Sequence, residues 1–130
     1  AYMAYTSRGN KFDVKIPNSM EALDAYEAGK KLYFTKVGQL NFSCADCHVY
    51  QTGSKLRADI PSPGIGHSTH FPAYRSGAGR LVTLHERFAG CLNRVRAKPF
   101  GAQNEEYRNL EYCISYMSNG LEINGPGSRK

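Results

Sequence analysis

At 130 residues and 14.5 kDa, the chain has room for one domain, and a core of that size is marginal on apolar burial alone. Its formal charge of +6 suits a solvated basic surface, an acidic protein or a small anion. With no Lys/Arg block and no nucleic-acid-binding motif, nucleic acid is not expected as a partner. No segment approaches the roughly 20 apolar residues of a membrane span and none has the make-up of a secretion leader, so the sequence reads as a soluble, mature chain with no membrane span.

In chain order, residues 1–7 read as the end of a helix stopped by Gly9. Asn18 is the expected N-cap of the next helix, with Glu21 as its capping-box partner. That helix covers about 19–35 and places Leu23, Tyr26 and the Leu32-Tyr33-Phe34 cluster on an apolar stripe. Residues 49–80 are rich in Gly, Pro and Ser and read as one long irregular segment, of the kind that wraps a cofactor. Thr83 and Glu86 form a second capping box, opening a helix over about 84–95 with Leu84, Phe88 and Leu92 on one face. The last helix, about 105–118, carries Tyr107, Leu110, Ile114 and Met117, with Gly120 as its stop. The tail, 124–130, reads as frayed. Tyr2–Gly9 also echoes Cys113–Gly120 in pattern. This suggests that residues 1–17 are the end of a preceding domain or a linker and that 18–130 are the domain proper.

The most specific motif is Cys44-Ala45-Asp46-Cys47-His48, a C-x-x-C-H. Two thiols separated by two residues reach the two vinyl groups on one haem edge, and the adjacent His turns its imidazole under the iron. The motif therefore predicts one covalent haem c on Cys44 and Cys47 with His48 as an axial ligand. A zinc site would need a second ligand pair, which Cys91 and Cys113 are too far apart in sequence to form. A redox C-x-x-C would want a βαβ context, which is missing. Haem would also supply the large apolar body that so small a core lacks. Its covalent attachment would place the chain outside the bacterial cytoplasm, with the periplasm as the expected address.

The opposite axial ligand is open to several readings. An electron carrier usually takes a Met sulfur, but the methionines are Met3, Met20 and Met117, and Met117 belongs on the apolar face of the last helix. His67, His70 and His85 lie between, the last expected to be exposed. Cys91 has Arg87 one turn before it and Arg94 one turn after. A guanidinium beside a thiol favours the thiolate, both the better ligand and the nucleophile. The alternative for Cys91 is a small buried packing residue.

The run Gly38-Gln39-Leu40-Asn41-Phe42-Ser43-Cys44-Ala45-Asp46-Cys47-His48 resembles the SoxA subunits of the SoxAX cytochromes of sulfur-oxidising bacteria. So do Phe71-Pro72-Ala73-Tyr74-Arg75, Arg87-Phe88-Ala89-Gly90-Cys91 and Val95-Arg96-Ala97-Lys98-Pro99-Phe100. The likeness covers about residues 20–127. It implies that Cys91 is an active-site cysteine and distal haem ligand, often found as a persulfide, and that Arg87 is the active-site arginine. It implies an L-cysteine S-thiosulfotransferase that joins thiosulfate oxidatively to a cysteine of the SoxYZ carrier, with electrons leaving through haem to the SoxX cytochrome subunit. Cys113 lies outside that pattern and reads as a packing residue of the last helix. The expected fold is all-α, a class I cytochrome c-like fold around one haem with long irregular loops. The rival readings are a plain periplasmic electron-transfer cytochrome, with Met117 or a His as sixth ligand, and a weakly ligated haem that binds small gases.

Overall fold

The computed structural model describes residues 2–56 and 58–129. Four α-helices run in the order α1 (Tyr2–Thr6), α2 (Met20–Phe34), α3 (Leu84–Arg94) and α4 (Glu105–Met117). Three short strands, β1 (Ala73–Arg75), β2 (Arg80–Val82) and β3 (Gly127–Arg129), form one sheet in the order β2-β1-β3. Residues 44–50 make a helical turn that widens to π geometry over Asp46–Tyr50, and His67–His70 make a 3-10 turn.

The all-α expectation is therefore wrong. β1 pairs antiparallel with β2 through the Ser76–Gly79 turn, and parallel with β3 from the tail that reads as frayed. Each strand has three residues, too few to carry a legible alternation. Gly79 takes a φ of +65° to close the turn. The segment 49–80 is likewise not one irregular stretch, since it holds both the 3-10 turn and β1.

The helices lie where their patterns put them, with local shifts. The cap of α2 is Ser19, whose hydroxyl accepts from Ala22 N–H, not Asn18. Only Tyr33 of its predicted stripe is deeply buried, while Leu23 and Phe34 are exposed. The helices α2 and α4 cross at Gly29, where a β-carbon would stand 2.0 Å from Asn109 O. That approach lets Tyr33 join Leu84, Phe88, Tyr107, Leu110 and Ile114 in the core. Residues 10–15 run along the far end of α4. The Asn119 side-chain amide brackets Val14 there, accepting from its N–H and donating to its carbonyl, and Tyr112 donates to Lys15 O. The two echoing segments behave alike: Gly9 and Gly120, each three residues past its helix, have φ of +80° and +84°.

The capping box of α3 forms as predicted. Glu86 Oε2 accepts from Thr83 N–H at 2.8 Å, and Thr83 Oγ1 accepts from Glu86 N–H at 3.2 Å. Arg80 of β2 adds an ion pair to Glu86 at 2.7 Å. The Arg80 guanidinium, with the Thr83 amide, holds the Glu86 carboxyl at about 2, below its ordinary 4.5. A carboxyl depressed by folding stabilises above its unfolded value and loses that contribution as pH falls through its folded value. The variant Glu86→Gln should therefore be less stable than the parent at neutral pH. The difference in urea midpoint should close between about pH 4.5 and pH 2.

Candidate haem and cysteine site

The C-x-x-C-H residues sit on the 44–50 turn, and the residue before it sets that turn. Ser43 N–H and Oγ–H both donate to Asp46 Oδ2, at 2.7 and 2.8 Å, and Asp46 N–H donates back to Ser43 Oγ at 3.0 Å. These bonds hold the Asp46 carboxyl below its usual range. Ala45 is completely buried under the core, so the turn is anchored from inside while Cys44, Cys47 and His48 are half-exposed around it.

His48 is oriented by one bond. Its Nδ1–H donates to Ser62 O at 2.7 Å. A carbonyl only accepts, so Nδ1 carries the proton and Nε2 keeps its lone pair for a metal. Burial pushes this imidazole below its ordinary value, which also favours the neutral, ligating form. His48 lines a cavity of about 320 Å³ with Val49, Thr52, Pro63, Gly64, Ile65 and Met117. That is the low end of small-molecule pockets, about 300–1,000 Å³. Val49 and Ile65 leave apolar surface exposed at its lip.

The second half of the site comes from α3. The loop before the haem motif docks on the C-terminal end of this helix. Leu40 N–H donates to Val95 O at 3.2 Å and Gln39 N–H to Arg96 O at 3.4 Å. Gly38 permits the approach: it has a φ of +73°, and a β-carbon there would stand 2.2 Å from Val95 O. This docking brings Cys91 close enough to Cys44 and Cys47 to act on both thiols. Burial and then Cys91 raise Cys44 to about 12, and the same two causes raise Cys47.

Arg87, one turn before Cys91, reaches toward His48 and His67. Arg94, three residues after Cys91, pairs with Asp59 at 2.8 Å. Arg75 arrives from β1, and burial followed by Arg87 and Arg94 lowers its guanidinium. Among the described residues no carboxylate stands within ion-pair distance of Arg75 or Arg87. The Cys91 end of the site is thus a half-buried thiol among three guanidiniums, two of them without an ion-pair partner among the described residues. The sequence pointed to Arg87 and Arg94; β1, which brings Arg75, was not legible.

The other candidate ligands fall elsewhere. The His67 ring lies 4.5 Å from that of His48, edge to face. Metal–nitrogen bonds of about 2 Å on opposite faces would hold the two ligating nitrogens alone about 4 Å apart and the ring centres farther, so His67 stands beside the His48 ring and not across a metal from it. Met117 packs on the core and lines the same cavity as His48. His85, expected to be exposed, is buried at 3%. It stacks near Phe88, accepts from Gln103 N–H through Nδ1 at 3.0 Å, and sets Nε2 2.8 Å from Glu111 Oε2. Cys113 is a free thiol buried between α4 and α2, raised to about 11 by that burial.

These residues fit a haem. Two free thiols at the required spacing flank an imidazole whose tautomer exposes the ligating nitrogen, beside a cavity with an apolar lip. Tyr33 Oη, close to Cys44 and Cys47, is buried with no hydrogen-bond partner among the described residues. No set of three or more His, Cys, Asp and Glu side chains converges among the described residues to hold a metal ion. The fold and the motif together define a c-type cytochrome domain.

Comparison with known proteins places it further. Residues 28–123 match the SoxA/TsdA cytochrome c domain, and the chain belongs to that family. It is 58% identical to the L-cysteine S-thiosulfotransferase subunit SoxA of Allochromatium vinosum, over 100% of this chain and 47% of that one. It is 56% identical to the subunit of the same name from Chlorobaculum tepidum, over 100% of this chain and 45% of that one. The crystal structure of SoxXA from P. pantotrophus superposes with a TM-score of 0.88 at 37% identity, covering 98% of this chain and 47% of that one. The chain thus spans about half the length of the curated relatives it matches. No helix among the described residues is long and apolar enough to cross a membrane.

Gly38 gives a direct check on the docking. Gly38→Ala should lower stability by about 1–3 kcal/mol through backbone strain and the clash at Val95 O. Urea denaturation measures it, and an unchanged midpoint would contradict the docking.

Proposed function

We propose that this chain is the cysteine-bearing haem domain of an L-cysteine S-thiosulfotransferase acting in the periplasm. It would transfer thiosulfate to a cysteine of a SoxYZ-type carrier, with a SoxX-type cytochrome subunit as its partner. Residues 18–130 are the haem domain and 1–17 lead into it. One observation carries the reading: Cys91 stands among Arg75, Arg87 and Arg94 and beside Cys44 and Cys47. The names of the relatives, and the SoxXA structure that the fold resembles, support it.

In this proposal Cys44 and Cys47 would hold the haem by thioether bonds, and His48 and Cys91 would ligate its iron. The chemistry that haem c supplies when bound is acceptance of electrons and their passage to the partner cytochrome. The protein's own residues do the rest. Thiosulfate is a dianion, repelled by a thiolate unless positive charge lies between them. Arg87 offers a planar fork to the sulfonate oxygens, and Arg75 adds charge to the same place. The sulfane sulfur then bonds to Cys91 Sγ: Cys91–S⁻ plus ⁻S–SO₃⁻ gives Cys91–S–S–SO₃⁻ and two electrons. The carrier thiolate attacks the sulfane sulfur, the bond to Cys91 breaks, and Cys91 leaves as the thiolate while the carrier keeps the S–SO₃⁻ group. The second step is an exchange with no net redox change. Persulfidation of Cys91 is a further reversible state of the same sulfur.

Cys91→Ala should abolish thiosulfate-dependent modification of the carrier cysteine while leaving haem attached through Cys44 and Cys47. Intact-mass measurement reads both. Retained turnover in the variant would overturn the assignment of Cys91.

A further inference from the structure

His67 stands in the half-buried loop beside His48, yet the geometry above removes it from the opposite axial position. Its hydrogen bond points elsewhere. His67 Nε2 is 3.0 Å from Ser62 Oγ, and the carbonyl of the same Ser62 accepts the 2.7 Å bond from His48 Nδ1–H. Ser62 is exposed on a loop. With no side-chain bond its peptide plane could rotate, and the carbonyl would turn with it. The His67 bond supplies that restraint. A second backbone bond, Gly64 N–H to His48 O at 2.9 Å, ties the loop to the motif turn from the other side.

His67 itself is held from the core. It opens the 3-10 turn His67–His70, whose Ser68 and Thr69 are buried. Ser115 Oγ donates to Ser68 Oγ at 2.9 Å, and Gly66 N–H donates to Ser118 Oγ at 3.1 Å. Both serines belong to the last turn of α4 or its cap. A continuous path of hydrogen bonds and short covalent links thus runs from α4, through the 3-10 turn, to His67, Ser62 and His48. Among the described residues no other side-chain bond restrains Ser62.

We propose that His67 is a positioning residue for the proximal ligand: through Ser62 it fixes the carbonyl that receives the His48 Nδ1 proton, and so sets how strongly His48 donates to the iron. A strong bond at Nδ1 makes an imidazole a better donor, and axial donation and outer hydrogen bonds tune haem potential. Loosening the carbonyl weakens donation, destabilises the oxidised iron and raises the potential. The proposal rests on haem being held by Cys44, Cys47 and His48.

The test is the reduction potential of the holo-protein, with the hyperfine-shifted His48 ring signals in its NMR spectrum as a second readout. His67→Phe and Ser62→Ala should each raise the potential and shift those signals in the same direction. Because both break one link, the double variant should shift no further than the larger single change. His67→Gln, whose amide can still reach Ser62 Oγ, should return the potential toward the parent value. If His67→Phe does not fold, Ser62→Ala removes only an exposed hydroxyl and tests the same link. A potential unmoved by Ser62→Ala, or additive shifts in the double variant, would overturn the proposal. A parent chain that carries no covalent haem would instead overturn the reading of the site, and the intact mass reveals that before any variant is made.

Discussion

The backbone contact between residues 38–41 and the C-terminal end of α3 is the constraint on which the site depends. The candidate site has two halves: the 44–50 turn bears the C-x-x-C-H residues, and α3 bears Cys91 and Arg87. They are 43 positions apart from Cys91 back to His48 and are joined by a long excursion through the 3-10 turn and the β1–β2 hairpin. Two amide-to-carbonyl bonds and the close approach at Gly38 set their separation. The last carbonyls of a helix want partners, and here the amides of the haem loop provide them. Satisfying a helix end and assembling the site are the same act.

Around that contact the fold divides its labour. The α2–α4 crossing at Gly29 builds the core on which Ala45 and Tyr33 rest, and so supports the motif turn from below. The capping box and the Arg80–Glu86 pair fix the start of α3, while the haem loop fixes its end. The sheet serves a different purpose. Its central strand, β1, runs Arg75 into the neighbourhood of Arg87 and Arg94, and β3 braces it from the tail. Half-buried guanidiniums that lack an ion-pair partner attract anions, so under the proposed function the sheet would contribute to holding the small dianion.

Much of the site was legible in the sequence because its chemistry is local. C-x-x-C-H places three groups within five residues, and Arg87 and Cys91 meet by helical spacing alone. Helix α3 carried its own capping box, and α3 and α4 their apolar stripes. Most of the misses share one cause, long-range partners with no local signature. Strands of three residues show no period, and the parallel β3 needs a mate 54 residues away, Gly127 against Ala73. His85 looked solvated at a helix start, but Gln103, which donates to its Nδ1, and Glu111, 2.8 Å from its Nε2, meet it from outside its own helix. Ser62 gave no sign at all, since it serves His48 with a backbone oxygen. The Ser43-x-x-Asp46 box was a missed local signal, of the same form as the one recognised at Thr83-x-x-Glu86.

In the proposed function, a Cys91 sulfur on the iron is what separates this domain from a plain electron carrier. The absorption and electron paramagnetic resonance spectra of the oxidised holo-protein test that most directly. A low-spin signal with the signature of thiolate ligation, lost when Cys91 is replaced, is the predicted result. A near-infrared sulfur band of methionine ligation, or a high-spin signal in the unaltered protein, would contradict it.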